Sequence, residues 1–210
     1  MLLVGAAAVA QSNGSTVNQT GTANDALVAQ TGLSNTSNVL QNGATNDGDV
    51  SQVGTSNNAD MDQVGDSNIG KIDQSGSMQV AVQTQTGNLN NAYALQANAN
   101  NSSTQVQEGN SNRANAYQNK YSDSWGSYSG TGGNNVATQT QVGDFNSSDV
   151  YQGAFGNGSD NNASLSQEGS NNWQAAYQDY GDSNVSTQSQ IGNYNWSYAC
   201  LLYTSPSPRD

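Results

Sequence analysis

Apolar residues in this chain do not gather into long runs; they alternate with polar ones. Stepping back by twos from Gln52 gives Val50, Gly48 and Asn46. From Gln63 the same step gives Met61, Ala59 and Asn57, and from Gln74 it gives Ile72, Gly70 and Asn68. The positions between hold Asp47, Asp49, Ser51, Asp60, Asp62, Lys71 and Asp73. Strand side chains point to alternate faces. Each stretch therefore predicts a strand with one small, apolar or amide face and one charged face. The three Gln residues lie eleven apart, and that step runs through nearly the whole chain.

Gln recurs at Gln19, Gln30, Gln41, Gln52, Gln63, Gln74, Gln85, Gln96, Gln107 and Gln118, and resumes after insertions at Gln141, Gln152, Gln167, Gln178 and Gln190. Gly follows two residues later at Gly21, Gly32, Gly43, Gly54, Gly65, Gly76, Gly87, Gly109, Gly143, Gly169 and Gly192. Asn stands six before most of these Gln residues: Asn24, Asn35, Asn46, Asn57, Asn68, Asn90, Asn101, Asn112, Asn135, Asn146, Asn161, Asn172 and Asn184. The unit is N-x5-Q-x-G-x-x. An eleven-residue period also suits a right-handed helical coiled coil. A Gly in nearly every unit, with abundant Asn, Ser and Thr, opposes helix. A strand of about seven residues ending at Gln, followed by a Gly-centred turn, fits.

Charge placement supports the strand. Residues 1–199 carry fifteen acidic and three basic groups, and none falls on the four inner positions of the unit. Buried charge is costly unless paired, and no aromatic falls there either, which predicts a thin core. One strand cannot bury a face alone. Two successive units facing each other would make a 22-residue rung, with the next rung about 4.8 Å above in parallel register. Gln then stacks on Gln and Asn on Asn, each amide satisfied by its copies along the stack. The halves of a rung differ: one carries Val28, Val50 and Ile72 two before the Gln, the other Gln83, Gln105 and Gln139. Tyr117, Tyr151 and Tyr177 would form an outward stack on one side. The fold class is all-β, a parallel β-solenoid with two strands per rung.

Composition alone points elsewhere. Apolar residues are 33% of the chain and the net charge is −12, a combination that normally gives disorder. Disorder does not require a fixed register, so the repeat displaces that reading. The acidic balance argues against nucleic acid, whose phosphates need Lys and Arg, and against anionic membrane surfaces. No apolar run is long enough for membrane insertion. Without His, a nucleophile motif or a phosphate-binding loop, catalysis has no candidates and no cofactor is implied. Asp47-x-Asp49 and Asp60-x-Asp62 are same-face carboxylate pairs that could attract Ca²⁺, but they lack the glycine-rich nonapeptide of calcium-binding solenoids.

Both ends depart from the repeat. Residues 1–10, MLLVGAAAVA, end in Ala8-x-Ala10 and are expected to be a truncated signal peptide. Residues 200–210, CLLYTSPSPRD, hold the single Cys and both prolines. They resemble the translation of a transposase-type sequencing adaptor and are expected to lie outside the natural chain. The solenoid is expected over 11–199, with loop insertions at about 121–134 and 153–160.

The pattern Q-x-G-x-x-N-x-A-x-x-x-Q resembles the curlin repeat. Gln19–Gln30 (QTGTANDALVAQ), QVGTSNNADMDQ, QTGNLNNAYALQ and QEGNSNRANAYQ match it at every fixed position. The resemblance covers roughly residues 13–199, with local departures at Gln79 for Asn and at Asn98 and Lys120 for Gly. It implies a secreted structural subunit of curli-like extracellular amyloid fibres, serving biofilm matrix and adhesion. It further implies self-association as a homopolymer, a nucleator subunit and an outer-membrane secretion pore as partners, and a cell-surface location. Asp47, Asp49, Asp60, Asp62, Asp66 and Asp73 are candidate gatekeepers that slow premature assembly by stacking like charges. The alternative reading is a monomeric capped β-solenoid, an adhesin or an ice-binding-like surface protein. Thr84, Thr86, Thr138 and Thr140 are too sporadic for a regular ice-binding array.

Overall fold

The computed structural model describes residues 12–123 and 126–202; residues 1–11, 124–125 and 203–210 lie outside that description, as do the side chains of 121–129. The expected signal peptide falls wholly on undescribed residues. Among the described residues no helix is long and apolar enough to cross a membrane.

Among the described residues, eighteen strands form two parallel sheets and one hairpin. The first sheet holds β1 (Gly14–Thr22), β3 (Thr36–Ala44), β5 (Asn58–Val64), β7 (Val80–Thr86), β9 (Ser102–Glu108), β13 (Val136–Val142), β15 (Asn162–Glu168) and β17 (Val185–Ile191), in that spatial order. The second holds β2 (Asp25–Leu33), β4 (Asp47–Thr55), β6 (Ile69–Ser77), β8 (Asn91–Ala99), β10 (Arg113–Gln118), β14 (Ser147–Gln152), β16 (Trp173–Asp179) and β18 (Trp196–Leu202). Successive units alternate sheets, so this is a β-solenoid of eight two-strand rungs. Like residues stack: Gln52 pairs with Gln74 and Val50 with Ile72. The register survives the insertions, since Gln118 pairs with Gln152 and Gln107 with Gln141.

The alternation read from the sequence is the burial pattern. β5 runs exposed, buried, exposed, buried from Asn58, with Ala59, Met61 and Gln63 inside. Two apolar clusters fill the narrow interior. One centres on Val39, Val50, Met61 and Ile72, and the other on Ala116, Val150, Leu165 and Ala176. Between them the first sheet contributes the buried amides Gln83, Gln105 and Gln139. Gly48 and Gly70 lie opposite Met61; a Cβ on Gly70 would sit 2.7 Å from its sulfur. The longest apolar core side chain of the first sheet thus faces the smallest residues of the second.

Several strands continue through the turn glycine, ending three residues past the Gln as in β4. Within 121–134, expected as a loop, β11 (Lys120–Asp123) and β12 (Gly126–Ser129) pair as an antiparallel hairpin lying against β8 and β10. The two insertions also extend the stack. Asn134 N–H donates to Ala99 O, Gly158 N–H to Thr131 O, and Ser183 N–H to Ser159 O. Beside them a small outer core forms from Leu95, Tyr117 and Ala154, flanked by Tyr93 and Tyr151. β18 carries the register through Cys200, Leu201 and Leu202, with Leu201 beside Gln178.

Candidate functional site

The chemistry of this molecule lies in its amide columns and in the edges where they end. Each sheet carries one long Gln column, and the first adds a shorter one in which Gln83, Gln105 and Gln139 link at 2.9 Å. In the first, Gln19, Gln41, Gln63, Gln85, Gln107, Gln141, Gln167 and Gln190 link Nε2 to Oε1 at 2.7–3.2 Å. In the second, Gln30, Gln52, Gln74, Gln96, Gln118, Gln152 and Gln178 link at 2.7–2.9 Å. The Nε2 group also reaches across the core: Gln63 donates to Asp47 O at 3.0 Å and Gln52 to Thr36 O at 2.9 Å. A Gln therefore ties neighbouring rungs together and also closes one sheet onto the other. From Gln41 to Gln178 these side chains are wholly buried, so each made bond offsets a desolvation that would otherwise be expensive.

The Asn and Gly columns work as one device. Asn68 Oδ1 accepts the N–H of Asn90 in the next rung at 3.0 Å, while Asn68 Nδ2 donates to Gly87 O at 2.8 Å. Asn46 does the same toward Asn68 and Gly65. The Gly is required by the stack as well as by the turn. At Gly54 φ is +124°, and a Cβ there would sit 1.8 Å from Gly76 O in the rung above. Where the sequence departs, the device is incomplete: Gln79 Nε2 still reaches Asn98 O at 3.1 Å, but Gln79 Oε1 is buried without a partner.

Two features of the arcs escape sequence reasoning. Except after Gln118, Gln152 and Gln178, where residues are inserted, the residue four after the Gln sits in the left-handed region whatever its type, including Met78, Leu89, Phe145 and Tyr194 (φ 54–58°). That conformation is costly for bulky residues. It is held by rung-to-rung bonds such as Met78 N–H to Thr55 O and Leu89 N–H to Asp66 O, both 3.0 Å. Three after the Gln, a further column caps the arc from outside. Ala44 N–H donates to Asp66 Oδ1, Asp66 N–H to Asn88 Oδ1, and Asn110 N–H to Asp144 Oδ1, at 2.7–2.8 Å. The recurrence of Asp or Asn at that place was the available signal.

The six candidate gatekeepers do not form one cluster. Residues eleven apart go to opposite sheets; only those one full rung apart stack. Asp47, Asp49 and Asp73 face outward from the second sheet, Asp60 and Asp62 from the first, and Asp66 caps an arc. Asp47 stacks on Asp25, but Asp49 meets Lys71 at 3.6 Å and Asp60 accepts from Asn38 Nδ2 at 2.9 Å. Burial, then the neighbouring Asp60 carboxylate, push Asp62 above the ordinary carboxylate range. Its Oδ1 is buried without a partner. Among the described residues no group of three or more His, Cys, Asp or Glu is placed to hold a metal.

Outward from the second sheet, Tyr117, Tyr151 and Tyr177 stack with ring centroids 4.9 and 4.3 Å apart. Trp173 and Trp196 stack beside them at 5.1 Å. Asp149 is buried on this face, accepting from Asn115 Nδ2 at 2.6 Å and from Arg113 at 3.3 Å. Asp179 is buried beneath the second insertion. Burial pushes its carboxyl up, against the opposing effect of N–H groups donated by Phe155 and Ala154.

Among the described residues the sheets end in open edges: β1 and β2 at one end, β17 and β18 at the other. The columns have polarity, since each Gln donates toward the C-terminal rung and accepts from the N-terminal one. Asn161 Nδ2 donates to Gly181 O at 3.1 Å, but Asn184, its counterpart in the last rung, has a buried Nδ2 without a partner.

No curated protein and no solved structure matches this chain. The family model described as Curlin associated repeat matches residues 43–76. That segment runs from Gly43 to Gly76 and contains β4, β5 and most of β6. Its Gln, Asn and Gly columns continue in register from Gln19 to Gln190, so the matched segment is one stretch of a longer array of like units.

Proposed function

We propose that this chain is a secreted structural subunit that stacks end to end into curli-like extracellular amyloid fibres, supporting biofilm matrix and adhesion. The observation that carries the reading is the pair of open, polar edges. In the first sheet the acceptor end of the Gln column at Gln19 complements its donor end at Gln190, and the unpaired strands β1 and β2 at one end complement β17 and β18 at the other. A second copy stacked in register continues both sheets and sets its Asn13 over Asn184 and its Asn24 over Asn195, so the Asn columns continue as well. Unpaired strand edges template such addition.

Residues 1–199 contain no Cys, which suits export of an unfolded chain through an outer-membrane pore, with a nucleator subunit starting growth outside. The Gln, Asn and Gly columns are the assembly residues. Asp47, Asp49, Asp60, Asp62, Asp66 and Asp73 delay assembly by keeping charge on the outer faces and one arc of the early rungs. The test is fibre diffraction and seeded dye-binding kinetics on residues 11–199 diluted from denaturant. The expected result is a meridional reflection at about 4.7–4.8 Å with growth accelerated by seeds. A folded β-rich chain that stays monomeric at high concentration overturns the reading in favour of a capped solenoid.

A further inference from the structure

The two broad faces of the solenoid are unlike. The second sheet presents Asp47, Asp49, Lys71 and Asp73 outward, and further along it is covered by the hairpin and by residues 153–160. The first sheet is different from β7 to β17. Its two central outward columns read Thr104-x-Val106, Thr138-x-Thr140 and Ser164-x-Ser166, with Val, Thr and Ser at the same places in β7 and β17. None of these ten positions is charged, in a chain of net charge −12. Glu108 and Glu168 lie at one rim.

We propose that this face docks on the same face of a second copy, pairing two solenoids side by side. Charge selects the occupant. Two strongly acidic copies repel along most approaches, and this is the broad surface they can bring together without opposing charges of like sign. Shape agrees, because short β-branched and hydroxyl side chains in straight columns interdigitate as sheets pack about 10 Å apart. Area sets the regime. Five strands at about 4.8 Å and seven residues at about 3.3 Å give roughly 550 Å² per copy. A standard stable interface needs about 800 Å² from each partner. A single pair is therefore weak, and the contact becomes durable only when repeated along a fibre, where linked sites act together. In this the inference rests on the end-on reading, and it makes lateral pairing a consequence of growth. Asp60 and Asp62 on β5 interrupt the uncharged face once per subunit, giving the paired fibre alternating tight and charged zones.

The test compares fibre mass per unit length, by scanning transmission electron microscopy, for the wild type and Thr138→Lys/Thr140→Lys, with elongation rate measured in parallel. Expected are paired fibres in the wild type and single-solenoid mass in the variant, with elongation and the strand-spacing reflection retained. Mixing preformed fibres of that variant with those of Thr138→Glu/Thr140→Glu should restore the doubled mass. A variant that still pairs, or a mixture that does not, overturns the proposal. So does a single-solenoid wild type, including one whose face instead causes thermal hysteresis in ice. If the wild type forms no fibres, the end-on reading fails separately. Sedimentation equilibrium of the monomers then decides: dimerisation at high concentration that the Lys variant lacks supports pairing, and a strict monomer overturns it.

Discussion

Gly54 and Gly14 are both glycines of the strand set, yet their surroundings predict opposite behaviour. A Cβ at Gly54 meets the Gly76 carbonyl at 1.8 Å with φ at +124°, whereas at Gly14 nothing lies within 4 Å. Gly54→Ala should destabilise the rung stack by at least ~1–3 kcal/mol, the cost of a strained backbone before the clash is added. Gly14→Ala should be close to neutral. Denaturant midpoints of the two variants check the contrast, and equal midpoints would show that the stacked turn is not limiting. Asp62 gives a second prediction at this scale. Its folded-state pKa is raised by burial and by Asp60, so the folded state binds the proton more tightly than the unfolded chain. That stabilisation is complete below the unfolded value, about 3.9, and is lost as pH rises through the folded one. Stability should therefore increase on acidification toward that window. Asp62→Asn should flatten the slope in thermal melts across pH, leaving the same-sign contribution of Asp179. An unchanged slope would place the titration elsewhere.

At the scale of the strand and arc, the sequence was legible wherever one residue type performs one function. Gln and Asn columns are visible because a side-chain amide donates with one atom and accepts with another along a stack, and Gly54 because only glycine fits beneath a carbonyl. The left-handed arc position was not legible: Leu89, Phe145 and Tyr194 hold it through bonds made by other rungs, so no local preference marks it. The antiparallel hairpin and the outer core under Ala154 were hidden for a similar reason. Their partners are outward residues such as Leu95 and Tyr117, which look like solvent-facing strand positions until something covers them. The separation of Asp49 from Asp60 required knowing that eleven residues exchange sheets. The Asn–Gly device yields its own prediction at Gln79. Asn57 Oδ1 takes the N–H of Gln79 at 3.1 Å, but Gln79 Oε1 has no partner to take in turn. Gln79→Asn places the oxygen where its neighbours hold theirs and should stabilise the chain by ~1 kcal/mol, one net hydrogen bond. Hydrogen exchange at Asn101 should slow; unaltered exchange there would mean that Asn98, in place of Gly, sets the arc.

Across the whole molecule, growth is a question of which backbone groups face the open edge. Asn162 N–H donates to Asn184 O at 2.8 Å, so the Asn184 carbonyl faces β15. Backbone groups of alternate residues in a strand point to opposite sides. Those of Ser186, Gln188 and Gln190 therefore face inward along the stack, and those of Val185, Thr187 and Ser189 face outward from the last rung. Proline is tolerated on an edge strand when the lost N–H faces away from the sheet. Thr187→Pro should therefore fold, with the same far-UV spectrum as the wild type, while removing a donor that an incoming β1 needs. Gln188→Pro, one residue on, removes an inward N–H and should unfold the final rung instead. Added to wild-type seeds, the Thr187→Pro chain should attach through its intact β1–β2 edge and then stop further addition at that tip. The opposite tip, which needs its β17–β18 edge, should reject it. Growth followed by fluorescence microscopy on surface-held seeds should thus become one-sided as the variant fraction rises. Two-sided growth at the wild-type rate would mean that fibres do not extend through these edges. Arrest at both tips would mean that the two ends are not the complementary donor and acceptor surfaces that the column polarity requires.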